Sequence, residues 1–133
     1  MDHNNLMNTL VQAKKIYSLL NEVYDISLQL AEATSRQDNV TIQMLLSMRQ
    51  EPLNLLSETD QALRILVGEI PAPDGERFRR LLDGEAPAAA EEEPLATQIA
   101  SNRRLLQKVV DVDRHINQKL TGDKSFYAAS PSA

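Results

Sequence analysis

The sequence contains no cysteine and no tryptophan. The first absence removes disulfides, thiolate nucleophiles and thiolate metal ligands together, and it suits a reducing compartment. The second belongs to a wider shortage, because two phenylalanines and three tyrosines are the only aromatics among 133 residues. A core must then be built from Leu, Ile, Val, Met and Ala, the residues of long packed helices. Glycine and proline are scarce too, at four and six, whereas an all-β chain needs a turn signal about every ten residues. No apolar run approaches the ~18–20 residues that cross a bilayer. Positive charge is nowhere concentrated: the pairs Lys14-Lys15, Arg79-Arg80 and Arg103-Arg104 stand alone in a chain of net charge −5. That argues against nucleic acid as a partner, since phosphate binding rests on clustered Lys and Arg. Phosphate-cradling glycine loops, nucleophile elbows and zinc-ligand spacings are missing, so no catalytic residue, metal or cofactor is expected. Residues 1–10 lack the basic start and apolar block of a signal peptide. The expectation is a soluble, cytoplasmic, single-domain protein that is not an enzyme and does not insert into membranes.

What is present is helical periodicity. Leu95, Ile99, Asn102, Leu105, Val109, Val112, Ile116 and Leu120 recur at spacings of three and four, which places them on one stripe of a last helix. Leu106 and Val110 widen that stripe on one side, so this helix calls for two neighbours, or for one neighbour and a partner. Gly122 stands where a left-handed cap would end it, with Lys119 suited to the negative end of the helix dipole. A polar tail over 123–133 then carries Phe126 and Tyr127.

A first helix is expected from near Leu6, capped by Asn4 or Asn5, with Leu6, Leu10, Ala13, Ile16, Leu20, Val23, Ile26 and Leu30 on one stripe. Its length, about 45 Å, requires a partner of similar length. The polar break SRQDN over 35–39 offers Asp38 or Asn39 as the cap of a second helix over 40–70. Its apolar set is Ile42, Leu45, Leu46, Met48, Leu53, Leu56, Leu63, Leu66, Val67 and Ile70. Pro52 lies in its middle; a kink is the first expectation, and two helices with Pro52 in a first turn the other. Arg49 and Asp60 near the seam need buried stems or opposite charges. Pro71 and Pro73 end this helix, and Asp74 is expected to cap a short amphipathic turn over 75–83 with Phe78, Leu81 and Leu82 inward. Residues 84–94, GEAPAAAEEEP, hold no large apolar residue and read as a flexible linker. The fold class is therefore all-α, an elongated antiparallel bundle of three long helices, the second kinked at Pro52 and the third somewhat shorter than the first, plus one short connecting helix.

Chemistry-bearing groups are few. His115 has Asp111 and Asp113 nearby, but an exposed Asp111 to His115 contact across one turn accounts for them better than a metal. Glu22 with Asp25, and the run Glu91 to Glu93, read as solvated faces, and Arg103 and Arg104 as helix-surface residues. Asn102 falls at a seam position, where it either fixes register by a polar contact or sits at the rim bonded to water.

The succession of a long leucine-rich helix, the break SRQDN, a second helix opening VTIQMLLSMRQE, and a last helix SNRRLLQKVVDVDRHINQKL followed by GDKSFY resembles the FlgN-type flagellar export chaperones. The most telling local feature is the run Asn102 to Leu106 opening the last helix. The resemblance implies a cytoplasmic chaperone of type III export, which binds the amphipathic C-terminal segments of the hook-filament junction proteins and keeps them soluble and unpolymerised. On that basis the cargo groove is expected on Leu105, Val109, Val112, Ile116 and Leu120, residues that could equally form an internal core. Phe126 and Tyr127 then form a short docking element, with the export gate as a candidate partner, unless they fold back on the bundle. The alternative is a structural coiled-coil protein that forms a homo-oligomer and takes no cargo.

Overall fold

The computed structural model describes the backbone of residues 1–128 and the side chains of residues 1–120. Among the described residues the chain is all-α: α1 (His3–Ser35), α2 (Asn39–Gly68), α3 (Asp74–Leu82) and α4 (Glu93–Ala128), with a 3-10 turn at Ala90–Glu92. The Asp2 carboxylate, rather than Asn4 or Asn5, caps α1 by accepting from the Asn4 amide at 2.8 Å. His3 therefore opens the helix. The stripe expected on α1 is buried or half-buried throughout, and Leu19, Ala33, Thr9, Ser27 and Thr34 are buried beside it. Thr9 and Ser27 are fully buried on this face, and among the described residues the Thr9 hydroxyl has no hydrogen-bond partner. This broad face lets α1 pack along both α2 and α4, which share no comparable interface with each other.

The turn between α1 and α2 is tight. Asp38 donates its amide to the Ala33 carbonyl and Gln37 donates to Thr34, the double closure of a left-handed helix end. Gln37 occupies the left-handed position at φ 57, a site that glycine fills at less strain. Asp38 then caps α2, accepting from the Thr41 amide at 3.1 Å and its hydroxyl at 2.6 Å. Helix α2 runs unbroken through Pro52, so the chain does not split there. Ile42, Leu45, Leu63, Val67 and Ile70 are buried, whereas Leu46 and Met48, expected in the apolar set, stand exposed.

Helix α3 begins one residue earlier than expected: Asp74 lies within its first turn, and Pro73 holds the cap position without a side-chain bond. Phe78 and Leu81 are fully buried. They join Leu6 and Ala13 of α1, Leu63 and Val67 of α2, and Leu95 and Ile99 of α4 in one cluster. A second cluster unites Ile26, Leu30 and Ala33 with Ile42, Leu45 and Ile116. Because the start of α1 meets the end of α2 and the start of α4, α2 runs against α1 and α4 runs with it.

Two expectations about the last helix are corrected. Helix α4 is the longest element, 36 residues against 33 for α1, and Gly122 does not stop it. A glycine costs only about 1 kcal/mol in a helix interior, and the nearest following proline is Pro131. The side chains of Phe126 and Tyr127 lie outside the described residues. The segment 84–94, expected as a flexible linker, is strapped to α3 by Arg77. Its Nε donates to both Glu92 carboxylate oxygens at 3.0 Å, Nη1 to Glu85 at 2.6 Å and Nη2 to the Ala86 carbonyl at 2.8 Å. The Ala88 amide also donates to Glu92, at 2.8 Å.

Candidate partner-binding groove

The residues expected to form a cargo groove are mostly core. Leu105, Val109 and Ile116 expose 7, 6 and 4% of their surface, and Val112 and Leu120 are half-buried against the second cluster. Their stripe is turned toward α1, and Leu105 borders a cleft, a shallow one shared with Tyr17 of α1. The adjacent stripe does the opposite: Leu106 and Val110 expose 47 and 39%. They line a groove of about 520 Å³ between α2 and α4. Its floor is Ile16 and Leu20 of α1, with Leu63 of α2 and Ile99 of α4 at its sides.

The groove lies where α2 and α4 both pack along α1 and, among the described residues, share no comparable interface with each other. Leu82 and Asp83, at the end of α3, line it near Arg103, whose guanidinium donates to the Asp83 carbonyl. One turn of α4 beyond Val110, Arg49 ties the three long helices, its Nη1 donating to Ser27 at 3.0 Å and to Asp113 at 2.5 Å. The α2 wall carries the Asp60–Arg64 pair, 3.0 Å apart. The charged groups near the seam thus find opposite charges, Arg49 on α4 and Asp60 within its own helix. The result is an apolar trough with polar edges, the composition of a site that takes an apolar helix face.

Asn102 fixes how α4 lies in this arrangement. It is 7% exposed; its Nδ2 donates to the Ala13 carbonyl at 2.9 Å, and its Oδ1 accepts from Gln98 at 3.0 Å. Of the two roles open to this residue, the register contact is the one observed. Such a pairing favours one register of α4 against α1.

The strap beside the groove is electrostatic. Hydrogen bonds from Arg77, opposed by desolvation and joined by the Ala88 amide, hold the Glu92 carboxyl below the usual carboxylate range. Glu92 is 4% exposed, while Glu91 and Glu93 face solvent; the acidic run is therefore not a uniformly solvated face. The Arg77–Glu92 contact spans 15 residues, and no local sequence signal marks it. Arg103 and Arg104 are surface residues, as expected, although Arg103 also covers Gly84, where the chain turns at φ 96.

His115 is exposed, and Asp111 accepts from Gln107 at 2.9 Å rather than pairing with His115. Among the described residues, no group of three or more His, Cys, Asp and Glu side chains converges as a metal site. Among them too, no helix is long and apolar enough to cross a membrane. No protein-family model, curated protein or solved structure matches the chain.

Proposed function

We propose that the chain is a cytoplasmic export chaperone of the FlgN type, an elongated antiparallel bundle of three long helices that shelters the amphipathic C-terminal segment of a hook-filament junction protein. The observation that carries this reading is the apolar groove between α2 and α4, open at Leu106 and Val110. A disordered segment that folds as a helix on this trough would bury its own apolar face there and lose the surface through which it polymerises. The cargo contacts are accordingly assigned to Leu106 and Val110, one position along from the buried Leu105 and Val109 stripe. Phe126 and Tyr127 are assigned as a separate docking element for the export gate. No catalytic step is assigned to the chain.

A second reading, a self-associating scaffold without cargo, is favoured by the same groove, since a helix from another copy could fill it. Light scattering of the purified chain, alone and with a synthetic C-terminal peptide of the hook-filament junction protein from the same genome, separates the two. The chaperone reading expects a defined complex with the peptide, weakened by about tenfold or more, 1.4 kcal/mol, in Leu106→Asp or Val110→Asp. A stable oligomer that ignores the peptide overturns it. Val109→Asp is unsuitable for this test because its side chain lies in the core.

A further inference from the structure

The groove leaves another apolar surface unaccounted for. On α2, Val40, Met44, Met48 and Leu55 expose 83, 54, 51 and 40% of their surface. Spacings of four, four and seven put them on a single face, directed away from the Ile42, Leu45 and Leu63 side that meets α1. Their extent, about 22 Å, is four turns of helix. None of the four lines the groove between α2 and α4.

The charges on the same helix select an occupant. Helix α2 carries five charged residues, Arg49, Glu51, Glu58, Asp60 and Arg64. Both cations are already engaged, Arg49 with Asp113 and Arg64 with Asp60. Glu51 and Glu58 remain, exposed and with no salt-bridge partner among the described residues. They follow Met44 at intervals of seven, a row lying directly beside Met48 and Leu55. The face is therefore apolar, rich in adaptable methionine, and edged by uncompensated negative charge. Methionine side chains repack against varied apolar surfaces, and unpaired carboxylates on a rim steer and orient a cationic partner.

We infer that this face of α2 is a second docking surface, and that its occupant is a basic amphipathic helix whose apolar side covers Met44, Met48 and Leu55 while its Lys or Arg residues reach Glu51 and Glu58. The site is independent of the groove, so a partner could occupy it with the groove full or empty.

The test uses the full chain and two designed helical peptides of about 18 residues, long enough to span the stripe at about 1.5 Å per residue. Both carry leucine on one face; one is flanked by lysine and the other by glutamate. Binding is followed by fluorescence anisotropy at about 0.15 M salt, where exposed charges more than about 8 Å apart are screened. The lysine peptide is expected to bind. Met48→Ser with Leu55→Ser, and separately Glu51→Lys with Glu58→Lys, should each weaken it by about tenfold or more. The charge-reversed chain should gain affinity for the glutamate peptide. The proposal is overturned if the lysine peptide binds all variants alike, or if neither peptide binds. It is overturned equally if light scattering shows a dimer that Leu55→Ser dissociates, because the face then belongs to a second copy.

Discussion

Leu105 and Val109 differ from Leu106 and Val110 by one position each, yet the first pair is buried and the second lies half open in the groove. A step of one residue turns a side chain by about 100° around the helix, 3.6 residues making a full turn. On α4 that rotation is the difference between facing α1 and facing the gap toward α2. Hydrophobicity does not separate the two pairs, since each consists of a leucine and a valine. What separates them is what lies opposite: α1 covers one stripe closely, while the other lines the groove between α2 and α4.

The largest effect expected from this contrast is the paired aspartate experiment. Val109→Asp places an unpaired carboxylate among apolar side chains and should remove about 4 kcal/mol or more of stability. Val110→Asp should stay within about 0.5 kcal/mol, as an exposed change does. Urea unfolding followed by helical circular dichroism reads both, and comparable losses would break the comparison. Truncation gives a gentler version, with Leu105→Ala expected to cost about 2–4 kcal/mol and Leu106→Ala less than about 1 kcal/mol.

Asn102→Ala asks what holds α4 at its particular roll. Losing the bond to the Ala13 carbonyl should cost about 1–1.5 kcal/mol and weaken peptide capture in the groove, because Leu106 and Val110 are then less firmly presented. Unchanged capture would show that packing alone orients the helix.

At the start of α4 the strap responds to pH. The folded-state pKa of Glu92 lies below its ordinary value of 4.5. Its contribution to stability is therefore complete above that value and is lost as pH falls through the lower folded value. Thermal unfolding between pH 6 and 3 should decline less steeply in Glu92→Gln than in the parent chain; parallel curves would remove Glu92 from the account. The smallest effect is expected at the far hairpin, where Gln37→Gly relieves the left-handed glutamine and should stabilise by about 0.5–1 kcal/mol. It should leave the contrast between the α4 stripes untouched.

Much of the helical framework is legible in the sequence. The stripes of α1 and α4 show as spacings of three and four, the stop at Pro71 and Pro73 as chain chemistry, and the cap at Asp38 as one of two neighbouring candidates. That Arg49 must either bury its stem or meet an opposite charge is legible as well, but its partner, Asp113, is not, because 64 residues separate them. Local preference alone makes Gly122 a helix stop, and the helix continues past it. In sequence Glu92 looks like its neighbours Glu91 and Glu93. Only the arrival of Arg77 from α3 distinguishes it.

The order and approximate extent of the helices, the scarcity of turn residues, and the excess of apolar surface on the last helix were determined by the sequence itself, since each rests on contacts within a few turns of one chain segment. Which stripe of α4 is interior, which glutamate is buried, and where an apolar trough stays open were decided only by tertiary structure. These depend on the positions of two other helices relative to α4, and side-chain periodicity carries no information about the distance between elements that are remote in sequence.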